Sequence, residues 1–194
     1  ASSSIINVGD TTGSLSGSTV GSFGIVGKNG AVVVNGSTIN AGLSSIGIYG
    51  DNSTITNNGI ITNVGGNANV SDSRVLIYGT NSQITNTSSL NAGDMGVGIY
   101  ADNSTADNSG LITAGDTYID PSNPSTMQFA VGIYGLGNGV IRNQGTGIIQ
   151  TGKNSIGMYA YTPNASVIND GLITSSSDEV IGMYIENGGT LGGK

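Results

Sequence analysis

The sequence predicts an all-β fold, a right-handed parallel β-helix (β-solenoid) of about seven three-strand coils, running through residues 1–194 as a single segment of a longer chain. Three observations predict it. A short phrase recurs along the chain, each copy is followed by two further β-prone runs set off by turn residues, and large side chains are too scarce for an ordinary globular core.

The phrase comes first in each unit. It reads "FGIVG" at 23–27, "IGIYG" at 46–50, "VLIYG" at 75–79, "VGIYA" at 97–101, "VGIYG" at 131–135, "IGMYA" at 156–160 and "IGMYI" at 181–185, seven copies in all. Its apolar residues alternate with period two, the spacing of a strand, and no helical i, i+3, i+4 stripe competes.

The second run ends in Asn and the third carries a β-branched or Leu pair, as in "TITNNGIIT", "TADNSGLIT" and "SVINDGLIT". Gly, Asn, Asp and Ser separate the runs, so each unit reads as three strands and three turns. The marker residues Asn35, Asn57, Asn86, Asn108, Asn143 and Asn169 are spaced by 22, 29, 22, 35 and 26 residues, and the minimum fits one three-sided coil. A propeller blade would need four strands and about 40 residues. Stacked at about 4.8 Å, seven coils make a rod roughly 30 Å long.

In such a stack equivalent residues lie above one another. Ile48, Ile77, Ile99, Ile133, Met158 and Met183 are predicted to form one inward ladder, and Ile39, Ile61, Leu90, Ile112, Ile149 and Ile173 a second. Aliphatic ladders fill a narrow tube without aromatics, which suits a chain with two Phe and no Trp. Its 34 Gly come with only three Pro and no G-X-Y period, which excludes collagen. Only 9% of residues are charged and 36% are hydrophobic, which is not the composition of a disordered polymer.

A net charge of −7 argues against nucleic acid and anionic lipid as partners. With no Cys and no His, disulfides, thiolate metal sites and the usual zinc or imidazole chemistry are missing. The calcium-binding G-G-x-G-x-D repeat is absent, so neither metal nor cofactor is expected. No 18-residue apolar run occurs, so this segment is not expected to insert in a membrane, and no signal-peptide pattern opens it, so any export signal is expected outside it.

Two polar columns and two loops are the candidate functional features. The Asn column is expected to be structural, its stacked amides passing hydrogen bonds from coil to coil. The Tyr column, Tyr49, Tyr78, Tyr100, Tyr134, Tyr159 and Tyr184, is expected to face outward beside glycines that leave a flat sheet, where rings either stack on one another or meet sugar rings. Carboxylates could mark a polysaccharide lyase or hydrolase, but Asp51 and Asp102 share one turn slot and Asp107 and Asp170 flank the marker Asn, so they read as turn formers and no catalytic residue is assigned. An ice-binding face is opposed by Asn40, Asn91 and Gln150 interrupting the column of Thr62, Thr113 and Thr174. Between the third run and the next phrase most units have five or six residues, whereas 63–74 and 114–130 are long insertions at one corner. The second carries Tyr118, Met127 and Phe129, which with Tyr100 and Tyr134 are the candidate ligand-binding residues.

The ensemble "VGIYG…ITNNGIIT", over about residues 20–194, resembles the passenger region of large fusobacterial autotransporter adhesins of the type V secretion system. The resemblance implies a non-catalytic adhesin exposed at the bacterial surface or extracellularly. It would be tethered through an outer-membrane β-barrel absent from this chain, and would attach to a host or bacterial cell-surface protein or glycan. Acidity and the absence of Cys suit export of an extended chain. A purely structural stalk presenting a distal binding tip is the alternative.

Overall fold

The computed structural model describes residues 4–10, 21–64, 74–161 and 164–193, with the backbone alone over 124–126. They form three seven-stranded parallel sheets and one two-stranded antiparallel sheet, and no helix occurs among the described residues.

All seven copies of the phrase become strands of one sheet, the tyrosine sheet: Ser22–Lys28, Ser45–Asp51, Arg74–Thr80, Gly96–Asp102, Val131–Leu136, Ile156–Tyr161 and Ile181–Glu186. The runs ending in Asn build the asparagine sheet from Val32–Asn35, Thr54–Asn57, Gln83–Asn86, Thr105–Asn108, Val140–Asn143, Ser166–Asn169 and Thr190–Gly193. The third sheet takes Ile5–Val8, Thr38–Ala41, Ile61–Asn63, Ser89–Gly93, Leu111–Ala114, Ile148–Thr151 and Leu172–Ser175. The chain visits the sheets in rotation, so it is a parallel β-solenoid of about six full turns, with Ile5–Val8 ahead of them and two strands of a seventh coil behind. The seventh copy of the phrase therefore opens a coil whose third strand is not among the described residues.

Register follows the expected ladders. Ile48 pairs with Ile77, Ile77 with Ile99, Ile99 with Ile133, Ile133 with Met158 and Met158 with Met183. The second ladder runs from Ile39 through Ile61, Leu90, Ile112 and Ile149 to Ile173. A third apolar column, Val33, Ile55, Ile84, Ala106, Ile141 and Val167, closes the triangle from the asparagine sheet. Ile39, Ile48, Ile55, Ile61, Ile77, Ile84, Leu90, Ile99 and Ile112 are wholly buried, each worth about 1.5–3 kcal/mol relative to exposure.

The corners are set by backbone conformation. After the tyrosine sheet the chain turns through Asn29, Asn52, Asn81 and Asn103, all left-handed with φ between 47° and 55°. Asn tolerates that region better than most side chains, which explains the "DN" and "TN" pairs after the phrase. Behind them Ser53, Ser82 and Ser104 form a hydroxyl ladder: the Ser53 amide donates to Ser82 Oγ at 3.1 Å and the Ser82 amide to Ser104 Oγ at 2.9 Å. At the corner entering the tyrosine sheet, Asp94 Oδ1 accepts from the Asp116 amide at 2.9 Å and Asp116 Oδ1 from the Lys153 amide at 2.7 Å.

Within 114–130, residues 114–117 keep this ordinary corner. Gly115 donates to Gly93 and Thr117 to the Lys153 carbonyl. The Ala130 amide then donates to Thr117 Oγ1 at 3.0 Å, so the added chain is 118–129, pinched off at its base. It folds as an antiparallel hairpin of Tyr118–Asp120 and Asn123–Gln128, with Ile119 opposite Met127. Of the other insertion, 63–74, only its ends are described, because 65–73 lie outside the described residues.

Candidate interaction face

The six marker asparagines stand in one column, in register. Each Nδ2 donates to the next Oδ1, from Asn35 to Asn57 at 2.7 Å, onward through Asn86, Asn108 and Asn143 at 2.8 Å each, and to Asn169 at 2.9 Å. Each also donates to the carbonyl that starts the following turn, for example Asn57 to Gly59 at 2.8 Å and Asn108 to Gly110 at 3.1 Å. Asn57, Asn86, Asn108 and Asn143 are wholly buried, so the column is internal support and offers nothing to a ligand.

The tyrosines do line the outer face of their sheet, but mainly by stacking on one another. Ring centroids lie 5.6 Å apart for Tyr49 and Tyr78, 4.7 Å for Tyr78 and Tyr100 and again for Tyr100 and Tyr134, and 5.4 Å for Tyr159 and Tyr184. Ring faces inside the stack are thereby covered by neighbours, and the surface shows edges and hydroxyls. The expected flat, glycine-paved surface beside them is corrected: a Cβ on Gly50 or Gly79 would meet the core side chains Ile55 or Ile84, so those glycines face inward. Burial raises the phenol pKa of Tyr78, Tyr100, Tyr134 and Tyr159 above the ordinary value.

The stack is interrupted where Tyr134 and Tyr159 tilt to 45°. Here the hairpin's last residue, Phe129, forms one wall of a groove of about 480 Å³ with Val131, Ile156 and Ile181 alongside the tyrosines and Glu186 at one end. Glu186 accepts a hydrogen bond from the Tyr184 hydroxyl at 3.1 Å, and its carboxylate raises the phenol pKa of Tyr159 further after burial. Tyr118, Ile119, Met127 and Phe129 are all well exposed on the hairpin, at 40%, 37%, 46% and 44%.

Of the candidate binding residues, the structure brings Phe129 and Tyr134 together in this groove. Tyr118 and Met127 are on the hairpin outside the groove lining, and Tyr100 is inside the ring stack between Tyr78 and Tyr134. Glu186 is the residue that sequence reasoning passed over. It shares its slot with Asp51 and Asp102, through Thr80, Leu136 and Tyr161, and that slot reads as a turn position. Only the ring stack and the hairpin make it part of a site.

The acidic side chains elsewhere are occupied or dispersed. Asp107 pairs with Arg142 at 3.0 Å and accepts from Gln144 Nε2 at 2.8 Å. No three acidic side chains converge as metal ligands among the described residues.

The family model of the BigA third pectate lyase-like domain matches residues 63–192, from the third strand of the second full coil through the hairpin to the last strand. No curated protein and no solved structure matches the chain. The family is adhesin-like and bacterial, and its pectate lyase-like label is a statement about the solenoid fold. The matched span is well over half of the sequence and carries five full repeats of the phrase, so the chain belongs to the BigA third pectate lyase-like domain family.

Proposed function

We propose that this chain is a non-catalytic piece of a bacterial surface adhesin that attaches to a protein or glycan on host or bacterial cells through the hairpin and the adjoining tyrosine-sheet face. The observation that carries the reading is the hairpin itself. Residues 118–129 leave the corner of the solenoid and gather Tyr118, Ile119, Met127 and Phe129, all exposed, on one hairpin beside an apolar groove. Aromatic side chains ordered on a rigid scaffold are the usual anchors of contact surfaces.

The resemblance of the repeat phrase to autotransporter passengers extends the proposal: a rod exported through the cell envelope and held at the surface by a barrel encoded elsewhere in the full protein. The non-catalytic part rests on the carboxylates. Asp107 is committed to Arg142 and Gln144, and Asp94 and Asp116 to backbone amides of the next coil.

The test is attachment of the labelled chain to epithelial and bacterial cells, with and without residues 118–129. Attachment that the deletion abolishes supports the reading. A chain that attaches to no cell is a stalk instead, and turnover of polygalacturonate would make it an enzyme.

A further inference from the structure

The groove beside Phe129 has a composition that selects its occupant. Its floor is aliphatic, Val131, Ile156 and Ile181, and its wall is aromatic. A sugar laid there would bury several hydroxyls against groups that cannot pair with them, at a cost for each. The tyrosine ring faces, which would repay this by stacking, are largely covered by neighbouring tyrosines.

One end of the groove is different. Glu186 stands there, half-buried, accepting a hydrogen bond from the Tyr184 hydroxyl, with Tyr159 also lining the groove. The neutral Tyr184 phenol holds the carboxylate in place but supplies no charge. No basic side chain lines the groove, and Arg142 and Lys153 are paired with Asp107 and Glu179. The whole chain carries −7, which favours approach of cations.

We propose that the groove docks a basic, amphipathic peptide segment of a partner protein, seating an apolar side chain against Phe129, Val131 and Ile156 and placing a neighbouring Lys or Arg on the Glu186 carboxylate. This rests on the adhesive reading above and names the chemistry of its partner. A volume of about 480 Å³ takes a few side chains, not a folded surface. Arg fits the open end best, because its planar fork can reach both carboxylate oxygens while the Tyr184 phenol remains bonded.

The experiment uses the whole 194-residue chain and three probes, acetyl-Leu-Arg-Leu-amide, acetyl-Leu-Glu-Leu-amide and methyl β-galactoside, read by NMR shifts of the Ile156 and Ile181 methyls. The Arg peptide is expected to shift these methyls, the Glu peptide and the galactoside to leave them in place. Glu186→Gln keeps two oxygen or nitrogen atoms at the same positions and should weaken the Arg peptide about fivefold or more, with added salt doing the same to the parent. Phe129→Ala should weaken it without changing its salt dependence. Equal binding of Arg and Glu peptides, a response to the galactoside alone, or a Glu186→Gln variant that melts like the parent and binds unchanged would overturn the proposal. Cell attachment is scored separately. If the chain attaches but neither Glu186→Gln nor excess Arg peptide affects it, the docking chemistry is wrong and the adhesive reading stands. If the Arg peptide binds and no cell does, the adhesive reading fails alone.

Discussion

Asn108 donates to Asn143 Oδ1 at 2.8 Å although 35 residues separate them in the chain, the same distance as between Asn86 and Asn108, which are 22 apart. The hairpin is inserted between the first pair and not the second. The amide column therefore keeps its step regardless of what the coil between two asparagines contains. Register is held at one corner, and length variation is absorbed at another.

Removing one amide from this column should be costly. Asn108→Ala leaves the Oδ1 of Asn143 without its donor, takes from Asn86 Nδ2 its acceptor in the column while its bond to Ser88 remains, and removes one of two donors to the Gly110 carbonyl; Asn86, Asn108 and Asn143 are wholly buried. The expected loss is about 1–3 kcal/mol in urea unfolding. Asn108→Asp should lose more at neutral pH, since it removes the donor and buries a charge. Burial raises the folded pKa of such an Asp above its unfolded value, so stability is highest below the unfolded pKa and falls as pH rises through the folded one. A variant more stable at pH 7 than at pH 4 would contradict the buried column.

The hydroxyl ladder should matter less. Ser82→Ala leaves the buried Ser53 amide without its acceptor, and frees the Thr80 carbonyl of one donor. One neutral bond at a corner closed by other backbone bonds predicts a loss of about 1 kcal/mol, smaller than that of Asn108→Ala when both are measured by the same melt.

Much of this architecture could be read from the residues because a solenoid repeats its own register. The spacing of Asn35 to Asn169 is the spacing of the coils, and the aliphatic ladders follow from it directly. What lay beyond reading was whatever depends on contacts between non-equivalent positions. Glu186 looks like another turn residue after the phrase, and nothing in "MYIENG" says that it closes a groove made by tyrosines of three coils and by Phe129. The glycines beside each tyrosine suggested a bare outer surface, but alternation along the strand puts the glycine after an outward tyrosine on the inner face, where Gly50 and Gly79 meet Ile55 and Ile84. Likewise 114–130 looks like one long loop, whereas hydrogen bonds to Gly93 and Lys153 return its first residues to the corner.

The tyrosine stack predicts an alkaline limit. Burial, as the first cause, raises the phenol pKa of Tyr78, Tyr100, Tyr134 and Tyr159 in the folded chain. A raised folded pKa means that the folded state retains protons the unfolded state has lost. The contribution is fully present below the unfolded value of about 10 and is lost as pH climbs from there toward the folded values. Urea midpoints should stay level to about pH 9 and decline beyond about pH 10, with tyrosinate absorbance rising late and together with unfolding. Tyr100→Phe, which removes one titrating hydroxyl from the middle of the stack, should make the decline shallower. Early, independent ionisation of all tyrosines near pH 10 would show that the rings are not stacked in solution.

Deleting residues 118–129 should leave the solenoid intact. Thr117 Oγ1 already accepts from the Ala130 amide at 3.0 Å, so the two ends of the hairpin meet and can be joined through a short turn of the kind used elsewhere, as in "AGDMG". The corner bonds of Gly115 to Gly93 and Thr117 to Lys153, and the Asp116 cap on the Lys153 amide, all lie outside the deleted stretch. A two-stranded antiparallel ribbon adds little stability of its own. The main cost is the loss of Phe129 from the groove wall, where it partly shelters Val131 and Ile156. The expected change is therefore about 1 kcal/mol or less in unfolding, with the β-sheet circular dichroism unaltered. Cell attachment should fall sharply in the same variant, because the deletion removes every exposed aromatic of the hairpin. A fold that collapses would mean that the hairpin packs across several coils as a brace, and undiminished attachment by an intact fold would move the contact surface to another face of the rod.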